Sequence, residues 1–296
     1  MIDRLAIIGV GLIGSSLSLA LKEAGVVRQV IGFGRNQKNL ARGVELGVLD
    51  EFTDTIEACV SDADVIVVAV PLGAMRAVFS ELKQVIKKGA IITDVGSAKG
   101  SVVTAARDEL GSVFPRFVPG HPIAGTEKSG VEAGFATLYQ NRRVIITPVE
   151  QTDQDAISVI DEMWRHCGAI IEYLEVGHHD KVLAATSHLP HMLAFALVHY
   201  LSNLNDHEEI FRYAAGGFRD FTRIASSDPV MWSDVCISNG ESLVSLIEQY
   251  QQELDSVKSA IIAGDADELL KLFGRAKSER DSLVGKIGRA SCRERV

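Results

Sequence analysis

Gly9-Val10-Gly11-Leu12-Ile13-Gly14 is a G-x-G-x-x-G run directly after the strand-like segment Leu5–Gly9 and at the start of a helical one. In that setting the first glycine permits a tight turn. The second lets backbone approach a pyrophosphate, and the third lets helix and strand pack closely. The helix N-terminus then turns free N–H groups and a positive dipole end toward the phosphates. Gly9, Gly11, Leu12, Ile13 and Gly14 are therefore read as a dinucleotide-binding loop, against the plainer reading of a glycine-rich turn. The next strand would ordinarily end in an acid that holds the adenosine ribose. Here it runs Val30-Ile31-Gly32-Phe33-Gly34-Arg35-Asn36, with no acid. Arg35 and Asn36 suit a 2′-phosphate, so NADP as well as NAD is expected to be accepted. The alternative is that Arg35 stacks on adenine or faces solvent.

Three further stretches hold side chains able to act together. They are Asp94-Val95-Gly96-Ser97-Ala98-Lys99-Gly100, then Gly120-His121-Pro122-Ile123-Ala124-Gly125-Thr126-Glu127-Lys128-Ser129-Gly130, and Gly216-Gly217-Phe218-Arg219-Asp220-Phe221-Thr222-Arg223-Ile224-Ala225 with Asp228-Pro229 and Trp232 after it. The first two are expected in loops after strands, where ligands of doubly wound sheets bind. His121, between Gly120 and Pro122, is expected to have no helical or strand role. Held in a loop beside a nicotinamide, it would accept a hydroxyl proton; a histidine that only satisfies loop backbone is the competing reading. Arg223 has the planar fork that binds both oxygens of a carboxylate, or else forms a surface ion pair with Asp220 or Asp228. His188 and His191, with His178 or His179, could be imagined around a metal. No HExxH frame exists and Pro190 bends the segment between them, so pocket histidines without metal are the preferred reading.

These residues need a frame. The first half alternates β-rich runs (Leu5–Gly9, Gln29–Phe33, Val65–Val70, Ala90–Asp94, Phe117–Pro119) with amphipathic segments near Ser15–Glu23, Gln37–Leu46, Met75–Ile86 and Val102–Leu110. A further unit comes next, with Val144–Thr147, a helix around Asp155–His166, and Ala169–Tyr173. The alternation predicts an α/β Rossmann-type domain, a doubly wound and mostly parallel sheet, over residues 1–174. From about residue 175 only helical periodicity remains, in His179–Leu201, Glu208–Phe211, Glu241–Ala263 and Asp265–Gly285. An all-α substrate and dimerisation domain is expected over 175–285. Residues 286–296 read as a non-native tail and are set aside.

The chain has 296 residues, 47% hydrophobic and 23% charged, enough for two domains with sizeable cores. A net charge of −9 argues against a nucleic-acid partner. Cys59, Cys167, Cys236 and Cys292 form no CxxC pair, which fits a reducing compartment. Apolar runs such as Ala63–Val70 are too short to span a bilayer, and no signal peptide is evident. The expectation is a cytoplasmic protein with no membrane partner.

Taken with Ser187-His188-Leu189-Pro190-His191, the clusters closely resemble the prephenate/arogenate (cyclohexadienyl) dehydrogenase family of tyrosine biosynthesis, over essentially the whole chain to about residue 285. GHPIAGTEKSG and GGFRDFTRIASSDP carry most of that specificity. The resemblance implies that His121 bonds the substrate's ring hydroxyl and that Ser97 assists there or at the nicotinamide. It implies that Arg223 binds a substrate carboxylate, that His191, Trp232 and Thr126 help form the pocket, and that Glu127 gates it. Gly34 and Arg35 depart from the pattern of NAD-using members. The implied reaction removes a hydride from C4 of a cyclohexadienol to NAD(P)⁺ while His121 takes the hydroxyl proton and the ring carboxylate leaves as CO₂. Prephenate and arogenate both fit, and a homodimer is implied. A β-hydroxyacid dehydrogenase shares the layout but needs a catalytic lysine in its helical half, where Lys181 is the sole candidate before Lys258. A non-catalytic NAD(P)-binding sensor would have no reason to keep Ser97, His121 and Arg223 together.

Overall fold

In the computed structural model, which describes residues 1–126 and 128–291, β1 (Ile2–Ile8) runs down the middle of a six-stranded sheet. Its neighbours are β2 (Val27–Phe33), β3 (Glu51–Phe52), β4 (Val65–Val68), β5 (Ile91–Asp94) and β6 (Phe117–Val118), in the order β3-β2-β1-β4-β5-β6 with every pairing parallel. β4 and β5 are buried at every position, as continuous apolar strands covered on both faces must be. Successive side chains of β1 alternate between two cores: Leu5 and Ile7 join one cluster, Ala6 and Ile8 the other. The crossovers are α1 (Leu12–Glu23), α2 (Gln37–Glu45), α3 (Ile56–Val60), α4 (Leu72–Val85) and α5 (Lys99–Leu110). Strand order reverses between β1 and β4, which opens a crevice at their carboxyl ends.

The last β-unit differs from expectation. β7 (Gly120–Pro122), β8 (Arg143–Ile146) and β9 (Ile170–Tyr173) form their own sheet, with β7 antiparallel to β8 and β9 parallel to it. His121 is thus a strand residue paired with Ile145, not a loop residue. Pro119 has no N–H to continue the β6 ladder, and its carbonyl instead accepts Thr147 N–H at 3.0 Å, handing the chain to the second sheet. α6 (Gln154–His166) buries Ala156, Ile157, Ile160, Met163 and Trp164, the i, i+4, i+8 face of an amphipathic helix.

The rest is helical: α7 (Val176–Leu183), a π-helical turn (Ala184–His188), α8 (Leu189–Ser202), α9 (His207–Arg212), α10 (Gly216–Thr222), α11 (Pro229–Ser238), α12 (Gly240–Ala263) and α13 (Ala266–Ser291). The wide turn precedes Pro190, whose missing N–H and bulky ring cannot close a normal bond to Thr186. α7, the π turn and α8 make one 27-residue helix, Val176–Ser202, long and apolar enough by length and composition to cross a membrane. Histidines, Asp180 and Pro190 interleave its apolar positions, so no uninterrupted run shows in the sequence. By its contacts the chain forms one compact unit, Met1–Leu243, and a second from Val244 onward containing most of α12 and all of α13. α13 continues past residue 285 to Ser291, whereas residues 292–296 of the expected tail lie outside the described residues.

Candidate active site

At the head of the crevice Gly9 has φ +96°, and a Cβ there would lie 2.4 Å from the Ala69 carbonyl oxygen. A Cβ on Gly14 would lie 2.7 Å from the Gly9 oxygen and 2.8 Å from Ile7 Cγ2, so α1 rests directly on β1. A Cβ on Gly11 would meet nothing within 4 Å, so backbone is open to a ligand there. No side chain caps α1. An open glycine before an uncapped helix N-terminus fits a pyrophosphate. Leu12 packs into the core, and the Ile13 carbonyl accepts the Tyr139 hydroxyl at 2.6 Å. Asn39 pins the loop: its Nδ2 donates to the Val10 carbonyl at 2.7 Å, and its Oδ1 accepts Val131 N–H at 3.1 Å. Arg35 is exposed just past β2. Asn36, expected to face the ribose, uses its Oδ1 to cap α2 by accepting Asn39 N–H at 3.1 Å, which leaves only Nδ2 to donate.

His121 is 8% exposed. Its Nδ1 lies 2.9 Å from Nε2 of His179, whose Nδ1 lies 2.8 Å from Oδ1 of Asp180. Burial, reinforced by His179, Lys99 and His188 nearby, pushes the His121 imidazole well below the ordinary range. Burial also lowers His179, against the pull of Asp180. Asp180 goes the other way from what burial alone would do. Hydrogen bonds from His179 and from the Lys99 and Gly100 N–H groups, the latter at 2.7 and 2.8 Å, hold it below the usual carboxylate range. Those two amides begin α5, which has no cap of its own, so Asp180 caps it from a distant helix. Lys99 Nζ, fully buried, donates to Asp94 at 2.5 Å and to the Gly120 carbonyl at 2.7 Å, directly before His121. Desolvation outweighs Asp94 and lowers this ammonium.

Beyond His121 stands a second group. His188, at the end of the π turn, is fully buried and pushed down to about 4 by desolvation. Its Nδ1 accepts from Asn239 Nδ2 at 3.2 Å, and its Nε2 is buried without a protein partner. The half-buried Ser97, in the turn between β5 and α5, lies with its backbone against that ring. His191 stacks on Trp232 at 3.6 Å between ring centroids, and Trp232 Nε1 also lacks a protein partner. Arg223 opens a short 3₁₀ segment packed on α8, the helix of His191. Thr126 is exposed, its hydroxyl accepting Lys128 N–H at 3.2 Å in a local turn. Glu127 lies outside the described residues. Among the described residues no three His, Cys, Asp or Glu side chains converge as metal ligands.

The fold therefore brings Ser97, His121 and His188 together and sets His191 and Trp232 against each other next to His188. It also supplies residues to which motif reading gives no part. Asp94 and Lys99 belong to a recognised cluster without a role in it, His179 figures there only as a metal ligand, and Asp180 and Asn239 do not figure at all. The one local signal is an adjacent His179-Asp180 pair at the start of a helix.

A Rossmann-type sheet with an open phosphate loop, a buried histidine held by a hydrogen-bonded chain and a helical region after it define a nucleotide-dependent dehydrogenase. Residues 17–173 match the family described as "Prephenate dehydrogenase, nucleotide-binding domain", and residues 175–275 match "Prephenate dehydrogenase, dimerization domain". The chain is 38% identical to the cyclohexadienyl dehydrogenase of Zymomonas mobilis, covering 95% of this chain and 96% of that one. It is 35% identical to the prephenate dehydrogenase of Bacillus subtilis, covering 96% and 76%. The crystal structure of Aquifex aeolicus prephenate dehydrogenase with hydroxyphenyl propionate and NAD⁺ superposes with a TM-score of 0.89 at 36% identity, covering 96% and 99%. The chain belongs to the prephenate dehydrogenase family and is an oxidoreductase.

Proposed function

We propose that the chain oxidatively decarboxylates prephenate to 4-hydroxyphenylpyruvate, with His121 as the base. The observation that carries this reading is a buried histidine fixed through Nδ1, with burial pushing its imidazole well below the ordinary range, within the family-specific segment Gly120–Gly130. When bound, the nicotinamide supplies the carbon that accepts a hydride. His121 takes the C4 hydroxyl proton as the C4–H bond breaks. The bond to the ring carboxylate then breaks, its electron pair completes the aromatic ring, and CO₂ departs. Substrate and product balance without a net proton, so His121 returns its proton to the phenolate oxygen and ends neutral, as burial favours. Aromatisation supplies the driving force, which leaves the protein mainly with positioning and proton transfer. Ser97 assists near the hydroxyl, Arg223 binds a carboxylate, and His191, Trp232 and Thr126 help form the pocket; the family resemblance assigns gating to Glu127.

The test is NAD(P)H formation with prephenate and, in parallel, with arogenate, which carries an amino group in place of the keto group. His121→Asn should leave cofactor binding nearly intact and lower kcat by about 10²–10⁴, the usual range for a lost general base. An unchanged kcat would end the assignment. NADP⁺ is proposed to serve at least as well as NAD⁺, because no acid stands at the end of β2 and Arg35 is exposed there. The protein is further proposed to be a cytoplasmic homodimer built on its helical half. Only 22% of the most apolar stretch of Val176–Ser202 is buried within the chain, and Leu254, Ile261, Ile262, Leu270 and Phe273 are exposed. A monomeric mass by light scattering would refute the dimer.

A further inference from the structure

Behind His121 the hydrogen-bond chain can be traced proton by proton. Asp180 accepts two backbone N–H groups, so its carboxylate is ionised and can only accept from His179. His179 Nδ1 must then carry a proton. A neutral His179 has a bare Nε2, and that atom lies 2.9 Å from His121 Nδ1. Two bare nitrogens do not attract, so His121 Nδ1 carries the proton between them. The lone pair of His121 is left on Nε2.

We propose that His179 and Asp180 are positioning residues that hold His121 in its Nδ1–H tautomer, so that Nε2 is the basic nitrogen. This rests on the reading of His121 as the base. An isolated imidazole prefers the other tautomer, which would present an N–H to the substrate hydroxyl instead of a lone pair. The device also fixes the ring plane, and its anchor is rigid because Asp180 is tied to the start of α5. The other charged and titratable groups facing His121 are Lys99 on α5, with its partner Asp94 at the end of β5, and His188 on the π turn. None of these is hydrogen-bonded to His121 Nδ1.

Three variants and two readouts test it. In Asp180→Asn the carboxamide can present its N–H₂ to His179 Nδ1 by giving up the Lys99 N–H bond made at that position while its oxygen keeps Gly100 N–H, which reverses both tautomers and places a proton on His121 Nε2. His179→Leu leaves the cap of α5 intact and removes the acceptor for Nδ1–H, with the same result. His179→Gln keeps an acceptor oxygen in that place. Nitrogen-15 imidazole spectra of the full-length protein should show His121 as Nδ1–H in the wild type and in His179→Gln, and as Nε2–H in the other two. With prephenate, kcat should fall about tenfold or more in Asp180→Asn and His179→Leu with little change in KM, and His179→Gln should keep most of it. An Nε2–H tautomer in the wild type, or a near-normal kcat in His179→Leu, would overturn the proposal. If the wild type turns over neither prephenate nor arogenate, the reading of the reaction fails, and the spectra still decide the tautomer.

Discussion

Lys99 Nζ lies 2.5 Å from Asp94 Oδ2 with both side chains fully buried, and the same ammonium holds the carbonyl immediately before His121. Burying two charges costs more than an apolar pair would, and breaking such a pair costs more still. Asp94 also accepts Gly96 N–H at 2.7 Å and Gly120 N–H at 3.2 Å, so one carboxylate joins β5, the turn to α5 and β7. Lys99→Met should therefore destabilise the protein by about 3–5 kcal/mol in urea unfolding, chiefly by leaving Asp94 buried and uncompensated. Adding Asp94→Asn should recover part of that loss, since an amide can still accept one backbone N–H without its charge. A single variant within about 1 kcal/mol of wild type would mean that water reaches Asp94.

Stability should also fall on mild acidification. His121, His179 and His188 are buried and all lowered, His188 to about 4 against an ordinary 6.5. Above pH 6.5 these rings are neutral in folded and unfolded chains alike, and their burial carries no penalty from protonation. As pH falls from 6.5 toward 4 the unfolded chain binds protons that the folded one refuses, so stability is lost across that window. His188 alone accounts for about 3 kcal/mol, at 1.36 kcal/mol for each pH unit between the two states. Urea unfolding at several pH values should show the loss, and His188→Gln should flatten it. A variant whose difference from wild type is the same at every pH would refute this account. The acid limb of kcat/KM should lie below the ordinary imidazole range for the same reason.

What can be read from the sequence is local in the chain. Gly9, Gly11 and Gly14 fall within six residues of one another, and each is used by its immediate surroundings, so the phosphate loop and the strand–helix alternation are legible together. The chemistry around His121 is not. His179 is 58 positions away, and the link from Asp180 to Lys99 spans 81, distances over which helix and strand periodicity carry no information. Asn36 shows the reverse failure. Its type suits a phosphate, but a residue at the start of a helix caps that helix first. The register of His121 escapes a sequence reading because a three-residue strand beginning with glycine and ending in proline gives no alternation to detect.

Arg223 sits on a segment packed against α8, the helix that also carries the His191 stacked on Trp232. That places the guanidinium's element against the helix that carries His191. Arg223→Ala should raise KM for prephenate about tenfold to a hundredfold by removing a charge-assisted pair, with a smaller effect on kcat. Arg223→Lys should restore only part of the loss, since an ammonium lacks the two-pronged geometry. A normal KM in the alanine variant would show that the carboxylate is held by another residue.

Cofactor choice turns on the residues just past β2. An acid there would accept hydrogen bonds from both ribose hydroxyls and would repel a 2′-phosphate; this chain has Gly34 and then an exposed Arg35. Asn36 can add only its Nδ2, because capping α2 occupies its oxygen. The main discriminating charge is therefore Arg35. A charge-assisted hydrogen bond of this kind contributes about 1.5–3 kcal/mol, or roughly tenfold to a hundredfold in affinity. Arg35→Ala should weaken NADP⁺ by that factor and leave NAD⁺ nearly unchanged, as read from Kd by titration and from kcat/KM with each cofactor. Replacing Gly34 with Asp should act in the opposite sense, restoring an acceptor for the ribose and penalising the phosphate. A wild-type protein that prefers NAD⁺ by about tenfold or more would show that Arg35 points away from the ribose, and that the absent acid is only an absent contact.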